Sequence, residues 1–359
     1  VTVSHPLELK NIGGWPAVLN TLLERRDLDP AVAEAAITEI LNGDATPSQM
    51  TAFIVALRAK GETAPELAGM LRAVRAAGQR VDLPRNVAMR SIDIVGTGGD
   101  MSQSFNVSTV SAFVVAGAGV PVCKHGNRAA SSQCGAADLL EELGVAIELD
   151  PVGVAECITS CGMGFCLAAR FHPAFRYTGP SRREIGISTA FNLLGPMANP
   201  AHISSMLVGV AVPWMMRPMI EALGSRGVTS AWVVHGHGSV DEMTLAGPCR
   251  VMQLRDGAIT EFSFDASEIG LENAPLDAIR GGDVARNAAI ARSILSGEKG
   301  AQRDTVVLNA AAALFIAGVA ATVQEGRELA EKSIDSGSAQ RVLDGLVTAS
   351  TTAAKRLEE

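Results

Sequence analysis

Positive charge is scarce in this sequence: 30 Lys and Arg stand against 38 Asp and Glu over 359 residues, a formal net charge of −8. That balance excludes a nucleic-acid binder held by a broad basic face, while leaving room for a local basic pocket. Paired C-x-x-C spacing is missing as well. The six cysteines, at 123, 134, 157, 161, 166 and 249, suit no zinc site, and a cytosolic chain would keep them reduced. Cys157 and Cys161, four apart on an expected helix, read as core residues. The opening VTVSHPLELKNIGG has neither the basic start nor the apolar run of a cleavable leader, so a cytoplasmic protein is expected. The longest apolar run, VVLNAAAALFIAGVAATV, has 18 residues, is interrupted by Asn309 and is dominated by Ala. It reads as a buried helix of a large core, not as a membrane span. No internal repeat, heptad run or low-complexity segment occurs. With 47% hydrophobic and 19% charged residues the chain is not disordered, and its length suits one large domain with a smaller one.

Capping signals recur through the first part of the chain. Asp29-Pro30 opens a helix that stops near Gly43, Thr46 with Gln49 forms a capping box for a second ending at Gly61, and Thr63 with Glu66 opens a third ending near Gly78. From Ser91 short apolar strands alternate with helices: SIDIV, VPVCK, GFCLAA, SMLVGVAV and SAWVVHG, with helical stretches from Val107, Gly135, Pro151 and Trp214. The tail from Ala278 is helical again apart from a hinge-like SGEKGAQRD. The expected fold is α/β: a small all-helical domain over 1–88, with helices around 185–205 as candidate additions, and a domain over 89–359 with a mainly parallel sheet flanked by helices. Ligands in such sheets collect at the carboxyl ends of the strands.

Four segments there carry chemistry. GTGGD runs from strand into helix, with Asn106 as the expected cap, and its glycines with the helix start favour an anion. It is neither a Walker loop nor a G-x-G-x-x-G fingerprint. KHGNRAASSQCGAADLLEELGV follows another strand and offers Lys124, His125, Asn127, Arg128, Ser131 and Ser132. RFHPAFRYTGPSRREIG places Arg170, Arg176, Arg182 and Arg183 within fourteen positions, suited to a small carboxylate or phosphate. In WVVHGHGSVDEMTLAG, adjacent Asp241 and Glu242 cannot share one face of a regular strand, which suggests a loop converging on a hard cation such as Mg2+. His235 and His237 lack a third soft ligand and make a poor transition-metal site.

GTGGD, NVST, KHGNRAASS, ADLLEELG, HPAFR, RREIG, FNLLGPMANP and DE, in this order and at these spacings over nearly the whole chain, resemble the anthranilate phosphoribosyltransferases. The resemblance implies Mg2+-dependent transfer of the phosphoribosyl group from phosphoribosyl pyrophosphate to anthranilate. It also implies a site for that donor at Gly96, Gly99, Asp100, Ser104, Asn106, Val107, Ser108 and Thr109, continuing through Lys124, His125, Gly126, Asn127, Arg128, Ala129, Ala130, Ser131 and Ser132 to Ala136. Anthranilate contacts fall on Gly96, His125, Asn127 and Arg182, and magnesium ligands on Ser108, Asp241 and Glu242. No obligate general base is expected, because an aromatic amine is already unprotonated near neutral pH. Cys134 sits where the family often has Ser and Ala136 where it often has a hydroxyl, so polar contacts there are expected from the backbone alone. A homodimer through the helical unit is expected, and the likeness leaves open a glutamine amidotransferase subunit of anthranilate synthase as a partner. A pyrimidine nucleoside phosphorylase shares the general architecture, although its family's glycine loop and base-binding motifs differ from KHGNR and HPAFR. The acidic balance and the intact Asp241–Glu242 pair argue against a non-catalytic nucleic-acid-binding or partner-binding module.

Overall fold

Local capping chemistry sets the first helices in the computed structural model of the chain, which describes residues 7–100, 102–129 and 132–358. They are α1 (Gly14–Leu23), α2 (Pro30–Asn42), α3 (Pro47–Lys60) and α4 (Ala64–Ala77), followed by a short α5 (Arg85–Ala88). Asp29 accepts from the Ala31 N–H, Thr46 and Gln49 satisfy each other's backbone, and the buried Glu66 carboxylate accepts from the N–H groups of Thr63 and Leu28 and from Lys60. All three expected helices are present within a residue of their expected ends.

The larger part of the chain alternates β1 (Ile92–Gly96), α6 (Val107–Gly117), β2 (Val122–Gly126), α7 (Ala136–Glu142), α8 (Pro151–Cys161), β3 (Met163–Leu167) and α9 (Ala168–Phe171). It continues with α10 (Gly179–Ile185), α11 (Ala190–Met197), β4 (Ser205–Gly209), α12 (Met216–Arg226) and β5 (Ser230–His235). A hairpin of β6 (Cys249–Arg255) and β7 (Ala258–Phe264) follows, and α13 (Val284–Leu295), α14 (Ala301–Ile316), α15 (Val323–Asp335) and α16 (Ser338–Glu358) complete the described chain. The strands form one sheet in the order β3-β2-β1-β4-β5-β6-β7, parallel from β3 to β5 and antiparallel beyond it. The order reverses at β1, so the crevice between the ends of β1 and β4 is the topological switch point where such sheets bind ligands. Helix α6 packs against α14 and α16, whereas α12 packs against β5, β6 and α4. Helices α10 and α11 both pack on α3, and α11 also on α4.

Several expectations need correction. The hairpin β6–β7 was not foreseen. Ala168 and Ala169, read as the end of a strand, begin α9, because β3 ends at Leu167. The hinge-like SGEKGAQRD is shorter than expected, since α14 already starts at Ala301. The 18-residue apolar run is not one helix: α14 ends at Ile316 and a turn precedes α15. Among the described residues no helix is long and apolar enough to cross a membrane.

Candidate active site

Strand β1 ends at Gly96, where Asp241 from another loop leaves no room for a side chain. A Cβ on Gly96 would stand 2.3 Å from Asp241 Oδ2, and one on Gly209 at the end of β4 would stand 1.6 Å from the Asp241 carbonyl oxygen. These two glycines let the acidic couplet lie across the ends of the central strands. Beyond Gly96 the chain turns through Gly98 and Gly99, with φ of 67° and 76°, a left-handed stretch that L side chains resist. Gly98 N–H donates to Asp241 Oδ2 at 2.6 Å, and Asp241 N–H lies 3.4 Å from Asp100 Oδ2. Glu242 Oε1 accepts from the N–H of Ser108 in the first turn of α6, at 3.2 Å. The glycine loop, the helix start and the acidic couplet thus share one pocket.

Lys124, on β2, is buried and donates to the Ile94 carbonyl (2.6 Å) and to Ser108 Oγ (3.2 Å). Its ammonium is the buried positive group beside these acids. It does not balance them: burial first, then the charge of Asp100, pushes Asp241 up to about 7, and burial followed by the charge of Asp241 pushes Glu242 up to about 8. Burial lowers Lys124 in turn, opposed by Asp93 and Glu242. Among the described residues no group of three His, Cys, Asp or Glu could by itself hold a metal. Two carboxylates short of positive charge would suit a hard divalent cation such as Mg2+.

Asn106 stands at the N-cap position of α6, yet its side chain caps nothing, contrary to expectation. Its Nδ2 donates to the Cys134 carbonyl at 3.1 Å, and its Oδ1 accepts from Asn287 Nδ2 at 2.9 Å and from Cys134 Sγ at 3.3 Å. The expectation that Cys134 contributes only backbone is therefore also corrected. Thr109 Oγ1 and His125 Nε2 are buried without a hydrogen-bond partner among the described residues.

The second loop is closed from outside the pocket. Asp138, in the first turn of α7, accepts from the N–H groups of Ala129 (2.9 Å) and Gly135 (2.8 Å), and Arg128 binds both Asp138 and Glu141. Asn127 and Ser132 flank this clamp: Asn127 Oδ1 accepts from the Arg128 N–H, and Ser132 Oγ donates to the Cys134 carbonyl. Ala130 and Ser131 lie outside the described residues. Ala136 packs under Gly126, and Ser104 and Val107 line the first loop and the buried side of α6.

Arg182 lies in the last turn of α10. An aromatic row connects it to His125: His125 and His172 rings are 5.2 Å apart, His172 and Phe175 5.9 Å, Phe175 and Phe191 6.0 Å, with the Arg182 guanidinium 5.5 Å over Phe191. Burial alone pushes Arg182 below its ordinary range, with no acid offsetting it. Burial first, then the neighbouring His172 ring, pushes His125 well below the ordinary imidazole range. Arg170, Arg176 and Arg183 take no part in this row, and Arg176 instead donates to the Tyr177 hydroxyl.

Three supporting residues escaped the sequence reading. Asp93, taken as part of a strand, accepts from the His125 N–H (3.2 Å) and from Asn199 Nδ2 (2.8 Å), and burial pushes it up to about 6. Arg226, from α12, donates to the carbonyls of Met197, Asn199 and Ala201 and so fixes the turn that holds Asn199. Asn309, noted only as an interruption, accepts from the Met243 N–H and donates to its carbonyl, anchoring the residue after Glu242. Its signal was a lone amide in an apolar helix.

The model of the glycosyl transferase family a/b domain matches residues 88–340, and that of the family's helical bundle domain matches residues 16–78. The anthranilate phosphoribosyltransferase of Chloroflexus aggregans is 49% identical over 331 residues, 92% of this chain and 96% of the relative. The crystal structure of the Thermus thermophilus anthranilate phosphoribosyltransferase superposes with a TM-score of 0.88 at 40% identity, covering 93% of this chain and 99% of that one. The Saccharomyces cerevisiae enzyme, solved with phosphoribosyl pyrophosphate and Mg, superposes with a TM-score of 0.84 at 28% identity, covering 94% of this chain and 98% of its own.

Proposed function

The chain belongs to the anthranilate phosphoribosyltransferase family, and on that premise we propose how its own residues divide the work. It transfers the 5-phosphoribosyl group from phosphoribosyl pyrophosphate to the amino group of anthranilate, giving N-(5-phosphoribosyl)anthranilate and pyrophosphate in tryptophan biosynthesis. That membership sets aside the nucleoside phosphorylase and non-catalytic readings.

The observation that carries the assignment is the bonding of the glycine loop, the start of α6 and the acidic couplet into one pocket. The diphosphate lies against Gly96 to Asp100, Ser104 and the residues from Asn106 to Thr109, with Thr109 Oγ1 and nearby backbone N–H groups as donors. The residues from Lys124 to Ala129 and Ser132, with Ala136 behind them, enclose the phosphoribosyl group, and the Asp138 clamp keeps Ala129 in place. Asp241, Glu242 and Ser108 would hold the magnesium ion, which when bound supplies positive charge to the leaving diphosphate. Displacing that diphosphate builds negative charge on the leaving group, so fixed donors that need not reorganise lower the barrier. Arg182 grips the anthranilate carboxylate, while Gly96, His125 and Asn127 orient its ring and amine. No side chain need take the amine proton before attack.

We divide the chain near residue 88 into a helical unit, completed by α10 and α11, and an α/β domain. A homodimer through the helical unit is supported by the exposed Leu23, Ile12 and Val55. Light scattering checks the dimer, and adding an anthranilate synthase amidotransferase subunit to the same run tests the other partner. A cytoplasmic location suits the free thiols. The reaction is tested by pyrophosphate release from the purified protein with both substrates. Asp241→Asn with Glu242→Gln is expected to lower the Mg2+-dependent rate by at least about a hundredfold; an unchanged rate would overturn the metal assignment.

A further inference from the structure

An asparagine at the N-cap position ordinarily turns its side-chain oxygen onto the N–H groups of the second or third helical residue. Asn106 does not, and the reason lies 181 residues away. Asn287, in the first turn of α13 and only 2% exposed, donates through Nδ2 to Asn106 Oδ1 at 2.9 Å. Its own Oδ1 is fixed by the Gly282 N–H at 2.8 Å. The oxygen that would cap α6 is thus held outward, while Asn106 Nδ2 is spent on the Cys134 carbonyl of the second loop.

The segment before α13 is built for this approach. Phe105 N–H donates to the Ile279 carbonyl at 3.0 Å and Gly281 N–H to the Gln103 carbonyl at 2.8 Å, so residues 279–281 pair along the first loop. A Cβ on Gly281 would stand 2.7 Å from Asn287 Oδ1 and 2.8 Å from the Phe105 backbone, so only glycine admits the contact.

We propose that Asn287 is a positioning residue that ties the two phosphate loops together through Asn106, holding the donor substrate's phosphates between them. The inference rests on the proposed location of the diphosphate. Without Asn287, Asn106 keeps only Cys134 as a side-chain partner, and the first loop loses its side-chain link to the start of α13. The N–H groups of Val107, Ser108 and Thr109 keep their acceptors on Phe105, Glu242 and Asn106, so the loss falls on the spacing of the two loops.

Calorimetric titration of phosphoribosyl pyrophosphate with Mg2+ into the native protein, Asn287→Ala, Asn106→Ala and the double variant tests this, alongside steady-state KM values and thermal unfolding. Asn287→Ala should weaken donor binding at least tenfold with the anthranilate KM changed less than twofold. In the Asn106→Ala background the same substitution should change donor binding less than twofold, because the link between the loops is already gone. An equal loss in both backgrounds, unchanged donor affinity in Asn287→Ala, or parallel increases in both KM values would overturn the proposal. Asn287→Ser, which keeps a polar atom near Gly282, serves should Asn287→Ala not fold. A native protein that binds no donor would instead refute the diphosphate site itself.

Discussion

Single side chains decide whether the pocket can hold its charges. Arg182 reaches the site as a desolvated guanidinium over Phe191 with no acid to neutralise it, which suits an incoming carboxylate. Replacing it with alanine removes a charge-assisted contact of about 1.5–3 kcal/mol, so the anthranilate KM should rise at least about tenfold, with the donor KM nearly unchanged, in initial-rate assays. Asn309 gives a second test. In Asn309→Leu the buried N–H and C=O of Met243 lose their partners, so denaturant unfolding should show a loss of about 2–4 kcal/mol and the Mg2+ requirement should shift to higher concentration. The motif residues in loops were legible because glycine, acids and bases crowded after an apolar strand have few other uses. Asp93, Asn287 and Arg226 were not, since one polar residue inside a strand or helix carries no pattern until its partner far along the chain is known.

Elements fix where those side chains meet. The five parallel strands were legible as short apolar runs, and the N-terminal helices as capping boxes. The hairpin β6–β7 was missed because its strands mix charged and apolar residues around a half-exposed edge. Its signal was the turn itself: Asp256 and Gly257 both have positive φ, the two-residue Asp-Gly form that joins antiparallel strands. At the end of β4, Gly209→Ala would drive a methyl into the Asp241 backbone. The expected outcome is a displaced couplet, seen as a loss of activity of at least about a hundredfold with stability lowered by about 1–3 kcal/mol or more.

His172 joins elements in another way. Its Nε2 lies 2.9 Å from the Ala198 carbonyl, its Nδ1 faces the close-packed Gly78 after α4, and Arg75, His125 and Phe175 are its charged or ring neighbours. Burial lowers it to about 4. Above about pH 6.5 both the folded and the unfolded histidine are neutral; below that the unfolded chain takes a proton first, so stability falls as pH drops toward 4. Asp93, raised to about 6, acts in the opposite sense over part of this range, so the comparison must be between variants. His172→Gln should lose about 2 kcal/mol less than the native protein between pH 7.5 and pH 4.5 in urea unfolding. Equal losses would show that His172 does not carry the linkage.

At the scale of the molecule, the helical unit and the α/β domain share α10 and α11, so the segment bearing Arg182 leaves the sheet, packs on α3 and α4 and returns at β4. The aromatic row from His125 to Arg182 spans this junction, with His125 on β2 and Arg182 on α10. That split could not be read from sequence, because the arginine-rich segment looks alike whether it packs on helices or on the sheet. The central claim is that two buried carboxylates, short of positive charge, bind the diphosphate through a divalent cation. Calorimetric titration of phosphoribosyl pyrophosphate with and without Mg2+ tests it most directly: binding at least about tenfold tighter with Mg2+ is expected, corresponding to about 1.4 kcal/mol or more. Equal affinity under both conditions would contradict it.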